Sequence, residues 1–258
     1  MDDAGSEPKL PPLTPATLYL VATPIGNLED ITLRALRILK ECDVVAAEDT
    51  RRTGQLLKHF GISKPMLSYF QFNEAKRSEE ILDRLQRGEK VALVTDAGTP
   101  AISDPGERVV CAAVERGFRV EAVPGACALV AGLTASGLST EEFHFIGFLP
   151  HKSGQRRKRL EAAGKINGTL VLYESPYRVE KLLTELNDVF PTRRVVLARE
   201  LTKKLEEFLR GTPAELLEVL KKRTLKGEFV VMVGQNENDP SVPDETDPQS
   251  AHDSDQSF

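Results

Sequence analysis

Short apolar runs alternate with amphipathic stretches along most of the chain. Residues 18–22 (LYLVA), 44–47 (VVAA), 91–94 (VALV) and 120–123 (VEAV) predict strands, and 66–70 predicts a short one. Between them, residues 32–42 place Leu33, Leu36, Ile38 and Leu39 at helical spacing. Helices are also predicted at 52–60, 78–87 and 106–116, each followed by a glycine (Gly61, Gly88, Gly117) suited to a C-terminal cap. Near-continuous apolar strands separated by helices predict a parallel sheet covered on both faces. After Pro124-Gly125 the pattern restarts with a small-residue helix at 126–136. Strands follow at 143–148, 170–173, 195–198 and 229–233, with helices at 156–163, 179–188 and 213–222. The reading is two α/β domains, 17–124 and 125–235, between an extension at 1–16 and an acidic tail at 236–258 that are both expected to be disordered.

Composition changes this picture little: 40% hydrophobic and 28% charged residues suit a soluble globular protein. The first sixteen residues have neither the basic nor the apolar region of a signal peptide. No run approaches the roughly 20 apolar residues of a membrane helix. Three widely spaced cysteines, Cys42, Cys111 and Cys127, form no disulfide framework; they point to a reducing cytoplasm and to small buried hydrophobes. No metal is expected, because no His/Cys/Asp cluster has ligand spacing. The net charge of −5 comes from the ends: residues 236–258 hold seven acids and no Lys or Arg, and residues 1–16 hold three acids and one Lys. Residues 17–235 therefore carry +4, which permits a nucleic-acid partner without requiring one.

Candidate chemistry collects in the loops. In open parallel sheets, ligands bind outside the carboxyl ends of the strands, and the unusual loops all follow predicted strands. TPIGN (23–27), EDTRR (48–52), DAGTPAISDPG (96–106) and PG (124–125) do so in the first half, LPHK (149–152), ESPYR (174–178) and RELTK (199–203) in the second. Asp104 reads as an N-cap with Pro105 at the first helical position, but capping does not account for DAGTP. TPIGN lacks both GxGxxG and a P-loop lysine, so it fails as a nucleotide-phosphate motif. Five of the eight residues from Lys152 to Arg159 are Lys or Arg. A solvated helix face and a phosphate-binding surface account for that stretch equally well.

The ordered set TPIGNLEDIT, AAEDTR, DAGTPAISDPG, PGA, GFLP with its basic stretch, YESPYR, ARELTK and KGE resembles the tetrapyrrole methylase superfamily. Within it, the set is similar to the bacterial 2′-O-methyltransferases of small-subunit ribosomal RNA, over residues 17–234. The resemblance implies two α/β domains with the active site in the cleft between them. It implies S-adenosylmethionine as cofactor, held largely by backbone, and 16S rRNA or the small ribosomal subunit as partner, with no membrane. It also implies a homodimer and methylation of a cytidine ribose. Cofactor positions carried over are Pro24, Gly26, Asp96, Ala97, Gly98, Ser103, Asp104, Ala126, Lys226, Gly227 and Glu228. Relatives often carry histidines just before the Asn-Glu that ends the third strand; this chain has Phe70 and Phe72 there, so imidazole catalysis from that segment is not expected.

A ribose hydroxyl is a weak nucleophile. Alignment with a methyl donor supplies about 7–11 kcal/mol, and a group that orients or takes the hydroxyl proton adds roughly 10² to 10⁴-fold. The histidines are poorly placed, His151 beside the basic stretch being the one exception. Asn73, Glu74 and Glu174 are the candidate catalytic groups, and Lys152, Arg156, Arg157 and Arg178 the candidate RNA contacts. Each also has a capping or ion-pairing reading. Two other functions fit the residues: a methylase of a tetrapyrrole or other small molecule, and a non-catalytic rRNA-binding assembly factor. The basic stretch weighs against the first, and the 96–106 loop against the second.

Overall fold

The computed structural model describes residues 11–223 and 225–235, so the expectations for 1–10 and 236–258 lie outside the described residues. The chain forms two compact units, Met1–Ala131 with Leu201–Lys204, and Gly132–Glu200 with Leu205–Phe258.

In the first unit, five strands form one sheet: β1 (Thr17–Val21), β2 (Val44–Ala47), β3 (Met66–Ser68), β4 (Val91–Val94) and β5 (Arg119–Val123). Their order is β3-β2-β4-β1-β5, and every pairing is parallel. Helices α1 (Leu33–Glu41), α2 (Thr50–His59), α3 (Glu74–Gln86) and α4 (Glu107–Glu115) lie between the strands in sequence. Successive side chains of a strand point to opposite faces, and both faces are buried. Tyr19, Val21, Val45, Ala47 and Val94 pack with Ile38 and Leu39 of α1 and Leu57 of α2. Leu18, Val44, Ala46 and Leu93 pack with Ile81, Leu82 and Leu85 of α3 and Val109 of α4. Each such Leu, Ile or Val contributes roughly 1.5–3 kcal/mol, which is why unbroken apolar runs were needed.

The expected loose extension up to residue 16 is corrected for its last six residues. Leu13 is buried in the first core cluster, the Tyr19 hydroxyl donates to the Thr14 carbonyl at 3.2 Å, and Arg37 donates to the Pro11 carbonyl at 2.9 Å. One apolar anchor amid prolines was enough to fix the segment.

After α5 (Ala128–Thr134), the second unit holds β6 (Phe143–Phe148), α6 (Ser153–Ala163), β7 (Thr169–Glu174), α7 (Val179–Val189), β8 (Val195–Arg199), β9 (Glu207–Gly211), α8 (Pro213–Leu220) and β10 (Phe229–Val233). The sheet order is β6-β7-β10-β8-β9. It is mixed rather than parallel: β6 pairs parallel with β7, while β10 runs antiparallel to β7 and β8, and β9 antiparallel to β8. Strand β9 escaped the sequence reading. Its Glu-Phe-Leu-Arg-Gly is short, half polar and at a sheet edge, and pairing with β8 is what makes it a strand.

The expected Asp104 cap is also corrected. Helix α4 takes Gly106 as its N-cap, at φ 146°, and begins at Glu107. Ala101 and Ser103 adopt left-handed backbone, φ 69° and 59°, and the Ala101 N–H donates to the Pro105 carbonyl at 3.3 Å. The loop closes on itself before the helix starts. Of the cysteines, Cys42 is buried, but Cys111 is exposed and Cys127 only partly covered. Among the described residues, no helix is long and apolar enough to cross a membrane.

Candidate active site

Because the first sheet is wholly parallel, the loops after β1, β2, β3, β4 and β5 emerge on one edge. Three of them are tied together. Thr23 and Gly98 exchange two backbone hydrogen bonds, at 2.9 and 3.0 Å, and the Thr23 hydroxyl donates to the Thr95 carbonyl at 3.1 Å. The Thr99 hydroxyl donates to the Ala126 carbonyl at 3.1 Å. Gly98 sits at φ 91°, where a Cβ would also lie 3.2 Å from the Ile25 side chain. At Gly125 a Cβ would come within 2.8 Å of the Ala22 side chain. The glycines keep this edge a surface of backbone groups.

Carboxylates line its centre. Asp96 accepts from the Asp49 N–H at 3.1 Å and lies 3.3 Å from the Arg52 guanidinium, while Glu48 accepts from the Thr95 hydroxyl at 2.8 Å. Burial, and then the nearby Glu48 carboxylate, push the Asp96 carboxyl above its ordinary range. Asp49 behaves oppositely: hydrogen bonds from the Arg51 side chain and backbone hold it far below that range, and it caps α2. A cavity of about 370 Å³ opens beside this group, lined by Thr23, Pro24, Gly26, Arg52, His59 and Asp96 among others.

Asn73 and Glu74 reach the same edge, but as scaffolding. The Asn73 side chain accepts from the Phe70 N–H at 2.8 Å and donates to the Ser68 carbonyl at 3.2 Å. Glu74 Oε1 accepts from the Tyr69 hydroxyl and from the Gly106 N–H, each at 3.1 Å. Burial and the Glu74 charge push the Tyr69 phenol up to about 12, so it stays a donor. Their expected catalytic role is corrected: the polar atoms are engaged in pinning the β3 turn to the 96–106 loop. Of the other expected cofactor positions, Ser103 is exposed at the crest of that loop, Asp104 is partly covered, and Ala97 is exposed beside Asp96.

The ARELTK segment holds a contact that the sequence reading missed. Residues Leu201–Lys204 belong to the first unit, where the Thr202 hydroxyl accepts from the Asn27 N–H at 3.0 Å. A Cβ on Gly26 would stand 3.0 Å from the Leu201 carbonyl oxygen and from the Thr202 hydroxyl. Glu200 and Thr202 adopt left-handed backbone, φ 51° and 63°, at about 1–3 kcal/mol each. Adjacent glycine at 26 and hydroxyl at 202 gave no periodic signal.

In the second unit, β6, β7 and β8 end on the edge where β10 begins, since Phe229 registers with both Glu174 and Arg199. Arginines fix the loops here. Arg156 is only 2% exposed, bound through Nε and Nη2 to both Glu185 oxygens, with Nη1 donating to the Pro150 and His151 carbonyls at 3.2 and 3.0 Å. It is corrected from RNA contact to internal brace, a change that helical spacing alone could not show. Arg178 donates to the Leu149 carbonyl at 2.8 Å and lies 3.2 Å from Glu174, leaving little of it for RNA. Arg157 is half exposed and shared between Glu161 and Asp188; Lys152 is exposed at the N-cap of α6. Glu174 is 2% exposed; its Oε1 accepts from the Ser175 N–H at 2.7 Å, and its Oε2 accepts no hydrogen bond. Lys226 offers its carbonyl to Arg199 at 2.7 Å, and the Glu228 N–H donates to Glu200 at 3.2 Å. Gly227, at φ 92°, lies where a Cβ would meet the Glu200 carboxylate at 2.3 Å.

Residues 17–217 match the family of tetrapyrrole (corrin/porphyrin) methylases. The chain belongs to that family. Ribosomal RNA small subunit methyltransferase I of Halalkalibacterium halodurans is 50% identical over 220 residues, which is 85% of this chain and 76% of the relative. The protein of the same name from Synechocystis is 47% identical over 217 residues, 84% of this chain and 78% of the relative. Among solved structures, uroporphyrin-III C-methyltransferase of Thermus thermophilus, complexed with S-adenyl homocysteine, shares the fold with a TM-score of 0.61 at 22% identity, covering 84% of this chain and 97% of its own. In this methylase, then, each sheet edge carries its own set of candidate residues: Pro24, Gly26, Asn73, Glu74, Asp96, Ala97, Gly98 and Ala126 on the first, Glu174, Arg178 and Lys226 to Glu228 on the second.

Proposed function

We propose that the protein methylates the 2′-oxygen of a cytidine ribose in 16S rRNA, using S-adenosylmethionine, in the cytoplasm and as a homodimer. The observation that carries this reading is the 50% identity over 85% of the chain to a relative named as a small-subunit rRNA methyltransferase. The first edge fits the cofactor. Gly98 leaves a backbone cradle that a Cβ would fill, and Ala97 presents exposed main chain beside it. The Asp96 carboxylate suits a cationic ligand or a ribose hydroxyl. When bound, the cofactor supplies an electrophilic methyl on a sulfonium. The task left to the side chains is to orient the ribose hydroxyl and take its proton. Glu174 suits that task, because its buried Oε2 has no hydrogen-bond donor of its own. The exposed Lys152 and the half-exposed Arg157 are the cations left to meet phosphates.

The test is transfer of labelled methyl from S-adenosylmethionine to small subunits that lack the modification, followed by nuclease mapping. Label on a single cytidine 2′-oxygen is expected. Label on a base, or on a tetrapyrrole instead of RNA, would overturn the reading.

A further inference from the structure

The turn after β3 displays two aromatic rings in a way that folding does not explain. Phe72 is 89% exposed and Phe70 37%, with ring centroids 6.3 Å apart at 71°. Leaving such area in water gains the fold nothing. The turn is nonetheless held from several sides. Tyr69 before it is fully buried, and Asn73 after it bonds the Phe70 N–H and the Ser68 carbonyl through its side chain and the Phe70 carbonyl through its own N–H at 2.9 Å. Glu74 then joins this turn to Gly106, at the end of the loop that begins with Asp96.

We infer that Phe72, backed by Phe70, is a stacking platform for an unpaired base of the RNA substrate, which rests on the rRNA reading above. A nucleobase offers the flat π-face that one protruding ring can use, whatever the base. A second copy of the chain fits less well. A stable interface buries about 800 Å² on each partner, whereas the neighbours of these rings, Gln71, Ala75 and Lys76, are exposed and small or polar. Lys76 instead places a cation one turn into α3, near where a backbone phosphate of a stacked nucleotide would pass. The turn is thus tied to the proposed cofactor loop by one carboxylate, which sets the platform in register with it.

The experiment compares the full-length chain with Phe72→Ala, Phe72→Leu and Phe72→Trp. Two quantities are measured: KM and kcat for methyl transfer to small subunits, and quenching of 2-aminopurine in a single-stranded RNA oligonucleotide. Phe72→Ala and Phe72→Leu are expected to raise KM roughly 5- to 100-fold with kcat nearly unchanged, and to lose the quenching; Phe72→Trp restores both. An unchanged KM in Phe72→Ala, or rescue by Leu as complete as by Trp, overturns the platform. So does conversion of a wild-type dimer to monomers by Phe72→Ala in sedimentation. Wild-type activity is read first: if no RNA is methylated, the rRNA reading fails, and the quenching assay alone then decides the platform, absence of quenching overturning it.

Discussion

The two sheet edges solve the same problem by different chemistry. On the first, loops are fixed by backbone exchange and hydroxyls, Thr23 to Gly98 and Thr99 to Ala126, which leaves the carboxylates of Glu48 and Asp96 beside an open cavity. On the second, loops are fixed by guanidinium groups: Arg156 and Arg178 hold the 149–151 carbonyls, and Arg199 holds Lys226. The first edge therefore keeps its charge available to a ligand, whereas the second uses much of its charge in holding itself together. A basic motif is not a measure of basic surface. Glycine and threonine build the frame where main chain must face a ligand, because they fix a loop without filling the space.

The sharpest break of this contrast is the Arg156–Glu185 pair. Glu185→Gln or Arg156→Met alone leaves a buried charge without its partner and is expected to cost about 3–5 kcal/mol in urea unfolding. The double variant Arg156→Met/Glu185→Leu should recover most of that loss, and failure to recover would show that the carbonyl contacts dominate. Burial opposes ionisation of Glu185, but the Arg156 and Ser153 hydrogen bonds win and hold its carboxyl below the ordinary range. A depressed folded value means its stabilisation is present above the unfolded pKa of about 4.3 and disappears as pH falls through the folded one. Acid titration of stability should thus be flatter in the double variant.

Next in size is Gly98→Ala, which forces a side chain into φ 91° and is expected to cost about 1–3 kcal/mol and to abolish tight cofactor binding by calorimetry. Gly154→Ala, on α6 with nothing within 4 Å of the added carbon, should be neutral or slightly stabilising. Equal losses at the two positions would remove the distinction between the edges.

Asp96→Asn separates stability from function. The raised folded value means that Asp96 favours the fold below its unfolded pKa and that this contribution is lost as pH rises through the folded one, so the ionised form weakens the fold at pH 7. The variant should melt at or above the wild-type temperature at pH 7 while methyl transfer falls at least tenfold; a lower melting temperature contradicts this account. The smallest effect is expected from Lys152→Ala: an unchanged melting temperature, and a salt slope for RNA binding reduced by about one unit or less.

Much of the fold could be read from local pattern. Residues 44–47, 91–94 and 229–233 are continuous apolar runs buried on both sides, and Gly117 ends α4 at φ 76° as expected. Helix α3 began at Glu74 rather than Ser78, because its first turn is set by the Asn73 turn and not by apolar spacing. Of the candidate site, Asp96, Ala97 and Gly98 were found by their composition, since no helix or strand calls for them. Asn73, Glu74 and Arg156 were placed at the right loops with the wrong roles. What a carboxylate or guanidinium does depends on which donors and carbonyls reach it, and those come from 30 or so positions away: Gly106 for Glu74, and Glu185 for Arg156.

The sequence by itself determined the alternation of strands and helices, the two α/β units and the loops that carry chemistry, because burial periodicity and turn residues are local properties of the chain. Tertiary structure decided the antiparallel insertion of β10, the pairing that makes β9 a strand, the capture of Leu201–Lys204 by the first unit, and which charges stay free. Those outcomes depend on hydrogen bonds and ion pairs between distant segments, whose energies no single stretch of sequence contains.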